Sequence, residues 1–275
     1  MKDITETISN RSPLIIKASF IALLFILAMT SKGSGQTPQA RGLEIAIEMD
    51  KRDSGFADMK ANMKMILRNR QGEESIREMK LISLEVDGDG DKSLTTFDTP
   101  RDVKGTSFLS HTHVIGPDDQ WLYLPALKRV KRISSNNKSG PFMGSEFAFE
   151  DLTSPEVEKY SYKYIKDDSA NGVLCFLVER YPVDKKSGYK RQVVWIDQQE
   201  YRPQKIDFYD RKNSLLKTLV FSDYEQYLSK FWRAGIMNMK NHQTGKSTLL
   251  EWNEIVFGNG LNDRDFDKKA LKRSR

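Results

Sequence analysis

Cysteine is all but missing from this chain: Cys175 is the single one among 275 residues, so no internal disulfide can form. It lies in the apolar run Val173 to Val178 and reads as a small core residue. Histidine is almost as scarce, with three. His111 and His113 fall on one face of an expected strand, yet only His242 remains as a third ligand, so no metal site is expected. A Gly-x-Ser-x-Gly elbow is absent, which removes the usual serine hydrolase. The Gly245-Lys246-Ser247 fragment lacks the earlier glycine of a phosphate loop, Lys240 standing there, and reads as a hairpin turn. Asp87, Asp89 and Asp91 begin like a calcium loop, but Lys92 replaces the required glycine and Asp98 the final glutamate. No basic run carries a nucleic-acid-binding signature, so nucleic acid is not an expected partner. The chain is read as non-enzymatic and free of cofactors.

Long apolar runs are also lacking, with one exception. Residues 18–29 form an unbroken stretch that is short for a membrane span of roughly 20 residues and suits the core of a secretory signal. Gly33 and Gly35 then place cleavage before Gln36. Residues 1–35 are thus expected to be a signal peptide and 36–275 one exported domain in the periplasm. No cysteine follows the leader to take a lipid anchor. The chain carries +6 overall, and the leader accounts for two of those charges. The remaining mild surplus suits contact with an anionic surface or ordinary solubility.

What the mature part does contain is alternation. After an amphipathic helix expected over 42–53, Met59, Ala61, Met63, Met65 and Leu67 alternate with mostly polar neighbours, the period of a half-buried strand. Strands are expected at 59–68, 75–86, 93–98, 103–111, 120–124, 129–133, 159–165, 172–181, 189–197, 203–209, 215–224, 231–241 and 247–257. Short links such as Asp87 to Asp91, Asp167 to Ser169 and Lys186 to Gly188 imply antiparallel pairing. So many strands in one chain require a curved or nearly closed sheet. Residues 134–155 break the rhythm: loop chemistry is followed by Phe142, Met143, Phe147, Phe149 and Leu152. This cluster reads either as a core plug or as a movable lid over a cavity, and the plug is the commoner outcome.

Two segments, Trp121 to Ile133 and Gly140 to Leu152, taken together resemble the bacterial outer-membrane lipoprotein-sorting protein family, a LolA-like branch. The resemblance covers roughly residues 40–260. It implies a mainly β fold with helices: a strongly curved antiparallel sheet forming an incomplete barrel closed by helices, LolA/LolB-like. It further implies a hollow that holds the acyl chains of a lipoprotein or another lipid. An inner-membrane exporter of the resistance-nodulation-division type and an outer-membrane acceptor are the implied partners, with transient membrane contact. The alternative is an accessory subunit that docks on such a transporter and holds no cargo.

The candidate ligand-binding residues are Met59, Met63, Met65, Trp121, Tyr123, Phe142, Met143, Phe147 and Phe149. Methionine adapts to irregular tails, and a buried tail contributes ~0.8 kcal/mol per methylene. The same face serves equally well as ordinary core. Arg129 and Arg132, within the basic run 128–132, are candidates for a head-group or partner contact. The blander reading of that run is an edge strand guarded by charge.

Overall fold

The computed structural model describes residues 36–273, and the expected signal peptide lies outside the described residues. Thirteen strands form one antiparallel sheet. They are β1 (Asp58–Arg68), β2 (Glu74–Leu84), β3 (Lys92–Thr99), β4 (Ser107–His111), β5 (Asp119–Leu124) and β6 (Arg129–Ile133). After a long irregular segment come β7 (Tyr160–Ala170), β8 (Val173–Pro182), β9 (Tyr189–Asp197) and β10 (Pro203–Asp210), then β11 (Leu215–Tyr227), β12 (Phe231–Asn241) and β13 (Ser247–Phe257). The spatial order runs from β6 down to β1, then from β13 down to β7. Only the β1–β13 pairing is long-range, Met63 lying opposite Trp252 and Met65 opposite Leu250. Two meanders are thereby joined along their first and last strands, and among the described residues β6 and β7 remain as unpaired edges.

The sheet cannot be flat. At ~4.8 Å per strand it would be almost 60 Å wide, yet residues 138–152 bond to both halves. Gln120 of β5 donates to Phe149 O, Thr248 of β13 accepts from Glu146 N, and Tyr189 of β9 donates to Asp151. A segment this short touches those strands only if the sheet curls around it. Inward side chains of nearly every strand accordingly merge in a single core, with Met65, Phe97, Phe108, Val178, Phe208 and Met239 among its buried members. The sheet is therefore large, antiparallel and not closed into a ring of hydrogen bonds.

The expected helical cover is small. Helix α1 spans Pro38–Asp53, and α2 is a four-residue turn, Ala270–Arg273. Helix α1 starts four residues before the expected 42, because Thr37 caps it by accepting from Ala40 N at 3.1 Å and Pro38 fits the first turn. Gly42, the expected first residue of the helix, is a contact point. A Cβ there would stand 2.7 Å from Tyr164 N of β7, so its absence lets helix and strand backbones touch. Residues 134–159, built from short 3-10 turns (Ser135–Asn137, Phe142–Gly144, Phe149–Leu152 and Val157–Lys159), instead pack Phe142, Phe147 and Phe149 onto the concave core.

Two strand limits differ from expectation by four residues or more, and several others by one to three. β4 starts at Ser107, since residues 100–105 fold into successive turns. β7 runs through Asp167 to Ser169, and the chain reverses instead at Asn171-Gly172, with φ of 53° and 77°. That dipeptide supplies the two left-handed residues a tight hairpin requires.

Candidate functional site

Alternation decides which side chains face the hollow. On β1 and β2 the inward set pairs Met59 with Ser83, Ala61 with Leu81, Met63 with Met79 and Met65 with Arg77. Two adjoining cavities follow from it. The smaller, about 230 Å³, is walled by Met63, Met65, Met79, Phe108, Leu250 and the plug residues Phe142, Phe147 and Leu152. The larger, about 1270 Å³, has Phe56, Met59, Phe221, Tyr224, Met237 and Trp252 in its wall. Ser83, Ser154, Met237 and Trp252 border both. The larger volume exceeds the roughly 300–1,000 Å³ common for small-ligand pockets.

The aromatic cluster of residues 142–149 packs inward. Phe142 meets Phe108 at 5.2 Å and Phe149 at 5.6 Å between ring centres, and Phe142 and Phe147 are fully buried. Met143 and Phe149 pack on the same core from partly buried positions. Polar bonds fasten this plug to the sheet. Lys217 Nζ donates to Asp151 at 2.6 Å and to Glu146 O at 2.8 Å; both members of this ion pair are buried. Asn241 donates to Glu146 at 2.7 Å, and Glu150 accepts from Ser187 Oγ and Gly188 N, both at 2.8 Å. Arg77 reaches Met143 O. Burial pushes the Glu150 carboxyl up, and burial beside Asp151 pushes the Tyr189 phenol well up, so Tyr189 donates to Asp151 as a neutral hydroxyl.

The methionine strand and the phenylalanine segment thus come together on one concave surface. Trp121 and Tyr123 do not join them. They share the other face of the sheet with Leu94 and Leu109, under a cover made by the C-terminal segment: Phe266, Ala270 and Leu271. Lys268 Nζ lies 4.5 Å from the Trp121 ring centre, and His111 Nε2 lies 2.8 Å from Phe266 O. On β5 it is Leu122 and Leu124 that belong to the concave core. Four consecutive apolar residues, Trp121 to Leu124, give no sign of which set points inward.

Arg129 and Arg132 are three apart on β6 and so stand on opposite faces of an edge strand, both exposed. Arg132 pairs with Asp119. His113 Nδ1 bonds Asp89 at 2.8 Å, and among the described residues no group of three or more His, Cys, Asp or Glu is arranged to hold a metal. Cys175 is fully buried, as a core residue should be.

Sequence reasoning missed Met79, Met237 and Trp252, all legible from strand alternation once the register is known. It also missed the polar mouth. The larger cavity is rimmed where α1 ends and where the β2–β3, β4–β5, β9–β10 and β11–β12 connections gather. The Asp87 to Asp91 turn is part of this rim rather than a free hairpin. Asp91 accepts from Ser154 Oγ at 3.1 Å, and burial pushes its carboxyl up to about 6. Burial, with Asp91 nearby, pushes Glu156 up to about 7.

A curled, open antiparallel sheet around an apolar hollow is the architecture of the LolA superfamily. A LolA superfamily protein from Nitrosomonas europaea superposes with a TM-score of 0.67 over 83% of this chain and 98% of its own, at 18% identity. Two further crystal structures are much closer in sequence. One, named for an outer membrane lipoprotein-sorting protein domain from Vibrio parahaemolyticus, is 62% identical over 85% of this chain and 99% of its own, TM-score 0.84. The other, a DUF1329 family protein from Desulfovibrio piger, is 32% identical over 86% and 99%, TM-score 0.81. A family model that carries only the description of an uncharacterized protein matches residues 89–273. No curated protein matches the chain. The chain belongs to the outer-membrane lipoprotein-sorting protein family, in a LolA-like branch that includes DUF1329 proteins.

Proposed function

We propose that this protein is a non-catalytic periplasmic carrier that holds lipid, or the acyl chains of a lipoprotein, in the concave hollow and moves them between inner and outer membrane. Residues 36–275 would act as one carrier domain, with residues 1–35 removed on export. The observation that carries the reading is the pair of adjoining cavities walled by methionine and aromatic side chains. Methionines adapt to a tail of irregular shape, and each methylene buried there contributes ~0.8 kcal/mol, so a few suffice for useful affinity. The name of the Vibrio parahaemolyticus relative, a lipoprotein-sorting domain, supports the same class of cargo. In this reading an inner-membrane transporter of the resistance-nodulation-division type supplies cargo, an outer-membrane acceptor receives it, and contact with each membrane is brief. No helix among the described residues is long and apolar enough to cross a membrane.

Protein purified from its envelope without detergent, extracted with organic solvent and analysed by mass spectrometry should yield about one lipid per chain. Consistent recovery of lipid-free protein that also fails to take up alkyl ligands would reject the carrier. An accessory subunit that docks on the transporter would then be the better reading.

A further inference from the structure

The larger cavity is apolar in its wall and one-signed at its mouth. Nine carboxylates border it against four basic groups, on a chain whose overall charge is +6. The four cations are already engaged. Arg52 bonds Glu48 at 2.8 Å, Arg202 bonds Asp197 at 2.7 Å, Arg233 pairs with Asp53, and Lys230 donates to Ser54 O. Among the described residues, six of the carboxylates have no basic partner within ion-pair distance: Asp50, Glu85, Asp87, Asp91, Glu156 and Glu158. They come from three separate places: the end of α1, the β2–β3 connection, which holds Glu85, Asp87 and Asp91, and the segment before β7. Folding therefore gathers like charges around the opening of a hollow, at a cost in mutual repulsion.

Resting on the carrier reading, we propose that the cavity takes its lipid tail first and that the head group left at the mouth carries a positive charge, as a protonated amine does. The alkyl tail would lie along Met59, Met237 and Trp252 and onward toward the methionine-lined smaller cavity. An ammonium group at the opening would then stand among unpaired carboxylates, where its charge offsets their repulsion. A carboxylate or phosphate head would add to the repulsion instead. The strain is visible in the acids themselves: burial and neighbouring carboxylates hold Asp50, Asp91 and Glu156 above their ordinary range. Selection thus arises from a field over the whole opening rather than from one ion pair.

The test uses three probes with the same twelve-carbon tail, dodecylamine, dodecanol and dodecanoate, titrated into the mature protein near neutral pH below their micelle concentrations. Trp232 and Trp252 border the cavity and report occupancy by fluorescence. The expected order is amine tightest, alcohol next and carboxylate weakest, with roughly tenfold between amine and alcohol. The preference should shrink as salt is raised. Asp87 and Glu158 are exposed, and among the described residues their carboxylates make no hydrogen bond or ion pair, so the double variant D87N/E158Q should fold normally. It should reduce the amine preference by about two- to threefold, since seven of the nine carboxylates remain, while binding dodecanol as the wild type does. Dodecanoate binding as tightly as dodecylamine, or a preference untouched by D87N/E158Q, would overturn the inference and leave the carrier standing. Failure of all three probes, the neutral alcohol included, would remove the carrier reading and this inference with it.

Discussion

Glu156 offers the sharpest way to test the charge at the cavity mouth. It is half-buried in the segment that precedes β7; among the described residues its carboxyl makes no side-chain bond, and its surroundings include Asp91, Asp50 and Glu158 against the cation Lys159. Burial first, then Asp91, moves its pKa from the ordinary 4.5 up to about 7. A carboxyl whose folded pKa is raised holds its proton more tightly in the folded chain than in the unfolded one. Stability is therefore fully present below the unfolded value and is lost as pH rises through the folded one. The displacement is worth ~3 kcal/mol at 1.36 kcal/mol per unit. Water reaching a half-buried group reduces that to about 1–2 kcal/mol. Glu156→Gln keeps the shape and removes the charge. Urea unfolding followed by circular dichroism should show E156Q more stable than wild type by about 1–2 kcal/mol at pH 8, with the gap closing towards pH 4.5. A variant no more stable than wild type at pH 8, or a gap that does not change with pH, would refute the argument that burial beside like charges makes an ionised Glu156 costly at the mouth.

Three other perturbations probe separate parts of the structure. Lys217→Met leaves Asp151 buried without its cation and should cost about 3–5 kcal/mol, measured by the shift in urea midpoint; a loss under 1 kcal/mol would mean that the plug is not anchored there. Gly42→Ala places a methyl group against the Tyr164 backbone at 2.7 Å, so despite the better helix propensity of alanine it should lower thermal stability by several degrees. A neutral or stabilised G42A would show that α1 does not press on β7. Reversing charge at both Arg129 and Arg132 should weaken co-sedimentation with anionic vesicles, or association with a membrane partner, several-fold. Unchanged binding to both would leave these arginines as guards of an edge strand.

Much of the fold was open to inspection in the residues alone, because strands announce themselves by a period of two and hairpins by their turn residues. All thirteen strands were anticipated, and β6, β9, β12 and β13 coincide with their expected limits. The methionine strand was legible for the same reason: Met59, Met63 and Met65 stand at odd positions among Lys60, Asn62 and Lys64, so only one side of β1 can be apolar. β5 offered no such contrast. Gln120, Trp121 and Leu122 are all buried, and no local signal says that Trp121 turns towards the C-terminal segment while Leu122 turns into the hollow. The β7–β8 turn was misplaced for a different reason: three polar residues, Asp167 to Ser169, look like a turn, whereas Asn171-Gly172 can adopt one at lower steric cost.

Local chemistry thus determined which segments are strands, where most of them reverse, and that a cluster of phenylalanines must be buried somewhere. Tertiary structure alone decided that β1 meets β13, that the plug lies across both halves of the sheet, and that carboxylates far apart in sequence crowd one opening. The physical reason is range. Alternation and turn propensity act over a few residues, whereas burial and charge repulsion depend on neighbours that only the curled sheet brings within reach.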